Sequence, residues 1–100
     1  MRSVRQTAAF KRDLKREIKG PSRYILKKYL WSVVSALAMG EQLDPPYRDH
    51  SLGGNWHGHR ECHIAPDLLL LYLLRNNVLT LVRLGSHAEL FGSYKERGNL

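Results

Sequence analysis

Three histidines and one aspartate stand beside predicted strand ends, where side chains are well placed to do chemistry. His50 lies in YRDHSLGGNW, ahead of a predicted strand, and His63 lies at the end of that strand. Asp67 closes the turn after His63, and His87 comes directly after the last predicted strand. An imidazole has an unperturbed pKa of about 6.5, so it can give or take a proton near neutral pH. These residue types therefore favour acid–base chemistry.

Their grouping matters more than any single histidine, because a lone turn histidine is usually an ordinary hydrogen-bonded residue. If neighbouring strands pair as a meander, the strand ends at Asp67 and His87 can lie near one another. We therefore expect His63, Asp67 and His87 to converge at one edge of a sheet.

The elements that must position these residues are two helices followed by strands. Thr7 is a suitable N-cap for a helix to about Lys19, and Ser22 can cap a second helix that ends near Gly40. Asp44-Pro45-Pro46 is expected to be extended loop. The predicted strands are a short Ser3–Gln6, then Asn55–Ile64, Leu68–Arg75 and Val78–Leu84, with an Asn76-Asn77 turn before the last. The pattern predicts an α+β fold with both helices on one face of the sheet and the other face partly open.

Side chains alternate across a strand, so the segment Asn55–Ile64 can be divided into two rows. The row expected to meet the helices is Trp56, Gly58, Arg60, Cys62 and Ile64. The polar row expected on the open face is His57, His59, Glu61 and His63.

A zinc site is the competing interpretation of this segment. His57, His59, Cys62 and His63 offer ligand types suited to zinc. Parity places Cys62 opposite the histidines, however, and no second cysteine completes a standard ligand pattern. The sequence also has no glycine-rich phosphate loop and no Gly-x-Ser-x-Gly motif. We therefore predict neither a metal nor a cofactor.

Composition points to a basic protein with a polyanionic partner. The chain has 100 residues, with 16 Lys and Arg against nine Asp and Glu, for a net charge of +7. Such a charge favours binding to nucleic acid or to an acidic protein. The single cysteine, Cys62, fits a reducing compartment, and no apolar run approaches the roughly 20 residues of a membrane span. We expect one soluble, cytoplasmic domain over residues 1–100.

Four motifs resemble those of the YafQ family of bacterial toxins, within the RelE/ParE toxin–antitoxin superfamily. They are an Asp-His-x-Leu segment, a Trp-x-Gly-x-Arg strand, a His-x-x-Pro-Asp turn and a terminal Gly-x-His-x-x-Leu-Phe-Gly. The similarity runs from about residue 10 to residue 92. It implies two N-terminal helices on a twisted antiparallel sheet of about four strands. The tail, Ser93–Leu100, departs from the family pattern.

The resemblance also implies a function: a ribosome-dependent mRNA endonuclease that a cognate antitoxin silences. His50, His63, Asp67 and His87 match the family's active-site positions, and Phe91 matches an aromatic residue there that could stack on a base. Arg83 is added as a phosphate contact because of its position and charge. The expected partners are mRNA, the ribosome with its RNA, and an acidic segment of a DinJ-like antitoxin.

Metal-free RNA cleavage needs a base for the 2′-hydroxyl proton and an acid for the departing 5′-oxygen. We assign His50 as base and His87 as acid, or the reverse, with His63 and Asp67 orienting them. Two other functions stay open at this point: a ParE-like toxin that binds DNA gyrase, and a basic RNA-binding module.

Overall fold

A five-stranded sheet is the framework of the protein, and three helices pack on it. The computed structural model describes residues 1–92, so the predicted tail lies outside the described residues. The helices are α1 (Ala8–Glu17), α2 (Arg23–Ala38) and α3 (His87–Phe91). The strands are β1 (Ser3–Gln6), β2 (His50–Ser51), β3 (Arg60–Ala65), β4 (Leu68–Arg75) and β5 (Val78–Gly85). No helix in residues 1–92 has both the length and the apolar character needed to cross a membrane.

The two long helices begin and end close to where local signals place them. The Thr7 hydroxyl accepts a hydrogen bond from the Phe10 amide at 2.9 Å, which caps α1. The same hydroxyl donates to the Val82 carbonyl at 2.7 Å, so the cap also joins α1 to β5. Gly40 follows α2 with a φ of 79°, a left-handed conformation that glycine adopts without strain.

The sheet is mixed, with the order β1-β5-β4-β3-β2. Strands β3 to β5 form the expected antiparallel meander, and the short β2, which was not predicted, extends it; β1 runs parallel to β5, with Ser3 opposite Val78. The prediction of about four antiparallel strands was therefore incomplete. The edge strand β1 lies beside the strand farthest from it in sequence, and a pairing of that kind leaves no local pattern.

The centre of the sheet is covered on both faces. The β4 residues Leu68 to Tyr72 are all fully buried, as their continuous apolar run predicts. On the α1–α2 side, β4 packs against Phe10, Leu26 and Leu30. The opposite face, expected to be partly open, carries a second apolar cluster instead: Leu52, Leu69, Leu71, Leu90 and Phe91, with Trp56 and Val82 packed against it. Short segments, including the five residues of α3, are sufficient to cover it.

The strand predicted at Asn55–Ile64 begins later than expected, at Arg60. Residues Gly54–Trp56 form a 3₁₀ turn, and Gly58 has a φ of 91°, so alternation does not extend back to His57 and His59. The predicted row of three histidines was wrong for that reason. Pro45–Tyr47 also forms a 3₁₀ turn where extended loop was expected, because proline is well tolerated in the first turn of a helix.

A buried carboxylate, Asp13, ties α1 to the edge of β5. Its side chain is 4% exposed and accepts hydrogen bonds from Arg83 Nε at 2.7 Å and from the Leu84 amide at 3.0 Å. Arg16 adds a contact at 3.1 Å. Burial opposes ionisation more than any single contact favours it, but together these donors hold the pKa of Asp13 below its usual value. Asp13 thus accepts a hydrogen bond from a backbone amide on the part of the β5 edge that β1 does not cover.

Candidate active site

His50 is held at the sheet edge by a loop with several side-chain contacts. It begins β2 opposite Glu61 of β3. Its Nδ1 lies 2.6 Å from the Arg48 carbonyl oxygen, which can only accept, so Nδ1 carries the hydrogen. The preceding residue, Asp49, accepts from Arg60 Nη2 at 3.2 Å and from the Tyr72 hydroxyl. The ring of His50 therefore has a defined orientation, with Nε2 directed toward β3.

Glu61 joins two of the predicted site histidines. One carboxylate oxygen, Oε2, lies 3.2 Å from His50 Nε2 and 3.4 Å from His63 Nε2. The Glu61 side chain is fully buried, whereas that of His50 is 42% exposed. The sequence analysis did not include Glu61 among the site residues. Its place beside His63 in the polar row was the available signal, since residues i and i+2 of a strand share a face.

His63 occupies the centre of the site and is largely withdrawn from solvent. Burial lowers the pKa of its imidazole below the usual value, and the positive charges of Arg48 and His87 lower it further. The negative charge of Glu61 and a hydrogen bond to the Pro66 backbone act in the opposite direction. The net effect favours the neutral imidazole.

His87 and Asp67 form a separate pair. Ser86 caps α3 through a capping box with Glu89, which the sequence Ser-His-Ala-Glu would have predicted. Asp67 accepts a hydrogen bond from the His87 amide at 2.9 Å, and its Oδ1 lies 2.5 Å from His87 Nδ1. These two bonds with His87 lower the pKa of Asp67. The contact fixes the proton on Nδ1 and leaves Nε2 of a partly exposed ring available.

The three imidazoles lie in a row. The ring centroids are 6.2 Å apart for His50 and His63 and 5.6 Å apart for His63 and His87. The structure thus brings together His50, His63, Asp67 and His87, as expected from the sequence, and adds Glu61. Two histidines, each beside its own carboxylate and on either side of a third, form an arrangement suited to paired acid and base catalysis.

The two expected substrate contacts are placed differently. Phe91 is 1% exposed and packs edge-on against Trp56, so its ring is part of the apolar cluster. It anchors α3, together with Leu90, because both side chains face the sheet. Arg83 directs Nε and Nη2 to Asp13, so any contact with phosphate must share a guanidinium that Asp13 already holds.

The residues His50, Glu61 and His63 could also hold a metal ion, because their ligand atoms lie within 4.8 Å of one another. Two imidazole nitrogens and a carboxylate oxygen suit zinc or copper. This set differs from the zinc set considered above, since Cys62 is fully buried on the helix side of the sheet and burial raises the pKa of its thiol. A bound ion would withdraw these nitrogens from proton transfer.

Comparison with known proteins gives consistent matches. A family model described as the bacterial toxin of a type II toxin–antitoxin system, YafQ, matches residues 2–92. The curated mRNA interferase toxin YafQ of Escherichia coli K12 is 33% identical over 91 residues, covering 91% of this chain and 97% of the relative.

Solved structures agree with these matches. The crystal structure of E. coli YafQ has a TM-score of 0.82 at 31% identity and covers 92% of this chain and all of that one. A metal-bound toxin from Helicobacter pylori has a TM-score of 0.79 at 43% identity, covering 91% of this chain and all of that one. The toxin of the E. coli DinJ–YafQ toxin–antitoxin complex has a TM-score of 0.79 at 33% identity, covering 91% and 98%.

Proposed function

The chain belongs to the YafQ family of bacterial type II toxins and is an mRNA interferase, and from this premise we propose how it cuts RNA. The substrate's own 2′-hydroxyl attacks the adjacent phosphorus atom, and the bond from phosphorus to the 5′-oxygen breaks. The products are a 2′,3′-cyclic phosphate and a free 5′-hydroxyl. The observation that carries this proposal is the row of three imidazoles with two separate carboxylates.

His50 and Glu61 form the basic end of the site in this scheme. With Nδ1 donating to the Arg48 carbonyl, only Nε2 of His50 can receive the 2′-hydroxyl proton. Glu61 Oε2, at 3.2 Å, stabilises the imidazolium that results. His63 shares the same carboxylate oxygen and orients it.

His87 is the acidic end. Asp67 accepts the Nδ1–H of His87 and so orients the ring with Nε2 available to protonate the departing 5′-oxygen. About a third of the His87 side chain is exposed, which leaves it accessible to an RNA strand. The buried His63, between the two, keeps base and acid apart.

The partners follow from the same proposal. The scissile phosphate must be held for in-line attack, and the ribosome supplies this orientation by holding the mRNA. The exposed lysines of α1 dock on ribosomal RNA, and a cognate antitoxin masks the toxin, as the DinJ–YafQ complexes support. A ribosomal target places the toxin in the cytoplasm. The ParE-like alternative loses its basis because the matching family model is YafQ.

The first prediction tests the acid. The protein is incubated with translating ribosomes and a defined mRNA, and the cleavage rate is measured for the wild type, His87→Ala and His57→Ala. We expect His87→Ala to lose about 10²–10⁴-fold in rate, the usual contribution of a general acid. His57 is exposed and outside the site, so His57→Ala should cleave at the wild-type rate.

Circular dichroism of both variants serves as the folding control. Intact mRNA with the wild-type protein would refute the nuclease function. Equal rates for the wild type and a folded His87→Ala would refute the role of His87 alone.

A further inference from the structure

We propose that Arg48 is a catalytic residue whose guanidinium binds the scissile phosphate, in the place first assigned to Arg83. The inference rests on the proposed function and adds a residue to the same site. Three observations support it. They are the left-handed backbone conformation of Arg48, the absence of a partner for its guanidinium within residues 1–92, and the cleft that Arg48 lines together with His63.

The backbone of Arg48 has a conformation that arginine does not favour. Its φ of 50° and ψ of 44° lie in the left-handed region. Two other non-glycine residues among residues 1–92 have positive φ, and both are asparagines of the β4–β5 turn, where that conformation is common. An arginine in this conformation is strained, and strain of this kind clusters at functional sites.

Neighbouring contacts keep Arg48 in this conformation. Its amide donates to the Pro45 carbonyl at 2.9 Å, and its own carbonyl accepts from His50 Nδ1 at 2.6 Å. The next residue, Asp49, is held by Arg60 and by the Tyr72 hydroxyl. The backbone that orients the His50 ring therefore also fixes where the Arg48 side chain begins.

The Arg48 guanidinium has no ion pair or hydrogen bond within residues 1–92, unlike most other arginines around the site. Arg83 is bound to Asp13, and Arg60 is bound to Asp49. The side chain of Arg48 is exposed, yet its charge is one of the causes that lower the pKa of His63, after burial. Its positive charge thus acts on the centre of the site without being neutralised by a neighbour.

The space beside these groups suits a nucleotide. An open cleft of about 610 Å³ lies between α2 and the loop before β2, and its lining includes Tyr29, Tyr47, Arg48 and His63. That volume is in the range of small-ligand sites. Asp44 also lines the cleft and would repel an anion, so we place the phosphate at the end formed by Arg48 and His63.

The positive charge of Arg48 would assist the cleavage reaction. When the 2′-oxygen bonds to phosphorus and before the 5′-oxygen leaves, the phosphate passes through a state with additional negative charge. A fixed cation stabilises that state, and removing one such group typically costs about 10²–10³-fold in rate. The imidazoles move protons but supply no permanent positive charge.

The closing experiment compares four variants in the ribosome cleavage assay. Arg48→Gln should lose about 10²-fold in rate, and Arg48→Lys should stay within about tenfold of the wild type, because it keeps the charge. Arg48→Gly should retain the wild-type Tm or exceed it, because glycine relieves the left-handed backbone, yet it should lose cleavage. Arg75→Gln, at the far end of β4, removes one exposed charge and should cleave at the wild-type rate.

Equal rates for Arg48→Gln and Arg75→Gln would overturn the proposal. NMR provides a readout that does not need cleavage: inorganic phosphate should shift the ring signals of His63 and His87 in the wild type, and far less in Arg48→Gln. If the wild type does not cut mRNA, the proposed function fails, and the NMR result alone then decides whether Arg48 binds an anion. A phosphate response that is the same in both proteins would then reject Arg48 as the anion-binding group.

Discussion

At the scale of single residues, carbonyl oxygens determine where the protons of the site can go. His50 and His63 each direct Nε2 to the same oxygen of Glu61. The other ring nitrogen of His50 donates to Arg48, and His63 is bonded to the Pro66 backbone. Proton exchange at both rings is thereby confined to the face that includes Glu61. The Nε2 atoms of His50 and His63 thus meet at one side of the site, at Glu61.

The residue-scale prediction concerns pH. Burial lowers the folded-state pKa of His63 below its unfolded value of about 6.5, so the neutral ring stabilises the fold above that pH. We expect the free energy of unfolding to fall as the pH decreases below about 6.5 toward the lower folded-state pKa of His63. Urea unfolding of wild type and His63→Gln across this range is the measurement.

The pH dependence of stability should be weaker in His63→Gln and unchanged in His57→Gln. The pKa of Asp67 is also lowered, so its stabilisation is lost only as the pH falls below about 4. The two effects therefore occupy different pH ranges. An identical slope in the wild type and His63→Gln would contradict the role of His63.

At the scale of elements, the position of α3 depends on contacts with α1 as well as with the sheet. Arg16 of α1 donates to the Leu84 carbonyl at 2.9 Å and pairs with Glu89 of α3 at 3.0 Å. Asp13, one turn earlier, holds Arg83 and the Leu84 amide. Hydrogen bonds from one helix, α1, therefore hold the end of β5 that precedes His87.

The element-scale prediction concerns the loss of these contacts between α1 and β5. Asp13→Asn leaves Arg83 without its counter-ion and weakens the bond to the Leu84 amide, so we expect a loss of about 3 kcal/mol in the free energy of unfolding. For a protein of this size that corresponds to a fall in Tm of roughly 10–20 °C. Thermal unfolding by circular dichroism is the measurement.

Glu41→Gln is the matched control, since Glu41 is exposed and its loss changes the net charge equally. Its Tm should stay within about 2 °C of the wild type. Equal Tm values for Asp13→Asn and Glu41→Gln would show that the buried contacts contribute little.

The same contacts explain which elements could be predicted from sequence. Thr7, Gly40 and Asn76-Asn77 act on their immediate neighbours, so local rules located α1, the end of α2 and the β4–β5 turn. The contact of Arg83 with Asp13 was not predicted, because Asp13 is 70 residues away and no local pattern links the two residues. The packing of Phe91 against Trp56 was not predicted for a related reason: Trp56 comes from a turn that was predicted as strand.

At the scale of the whole molecule, charge governs association. The net charge of +7 includes an exposed row on α1, of which Lys11 and Lys15 lie one turn apart. The exposed aromatic residues Tyr24 and Trp31 lie on the neighbouring helix. The helices pack on one face of the sheet, whereas Leu69 and Leu71, on the strand beside His63, face the other.

The whole-molecule prediction is a salt dependence of ribosome binding. The logarithm of the binding constant should fall linearly with the logarithm of the salt concentration, since each lysine–phosphate contact releases a counterion. A Lys11→Gln/Lys15→Gln variant should reduce the slope by about 1.5–2, and Arg5→Gln/Arg75→Gln should change it little. Fluorescence anisotropy with isolated ribosomes measures both.

Equal slopes for the two double variants would indicate a general charge effect without a docking face. A slope near zero in the wild type would indicate an apolar interface and would contradict the docking role of α1.

The parallel pairing of β1 with β5 also has a consequence for the newly synthesised chain. Residue 6 leaves the peptidyl-transferase centre long before residue 78 is added, by on the order of several seconds at ordinary rates of synthesis. During that interval β5 has not been synthesised, so neither β1 nor α1 has the strand that it contacts in the folded protein. His87 has not been added either. The row of three imidazoles, His50, His63 and His87, is therefore incomplete until residue 87 has been added. In the proposed scheme, the nascent mRNA interferase is thus inactive for as long as its synthesis has not passed that residue.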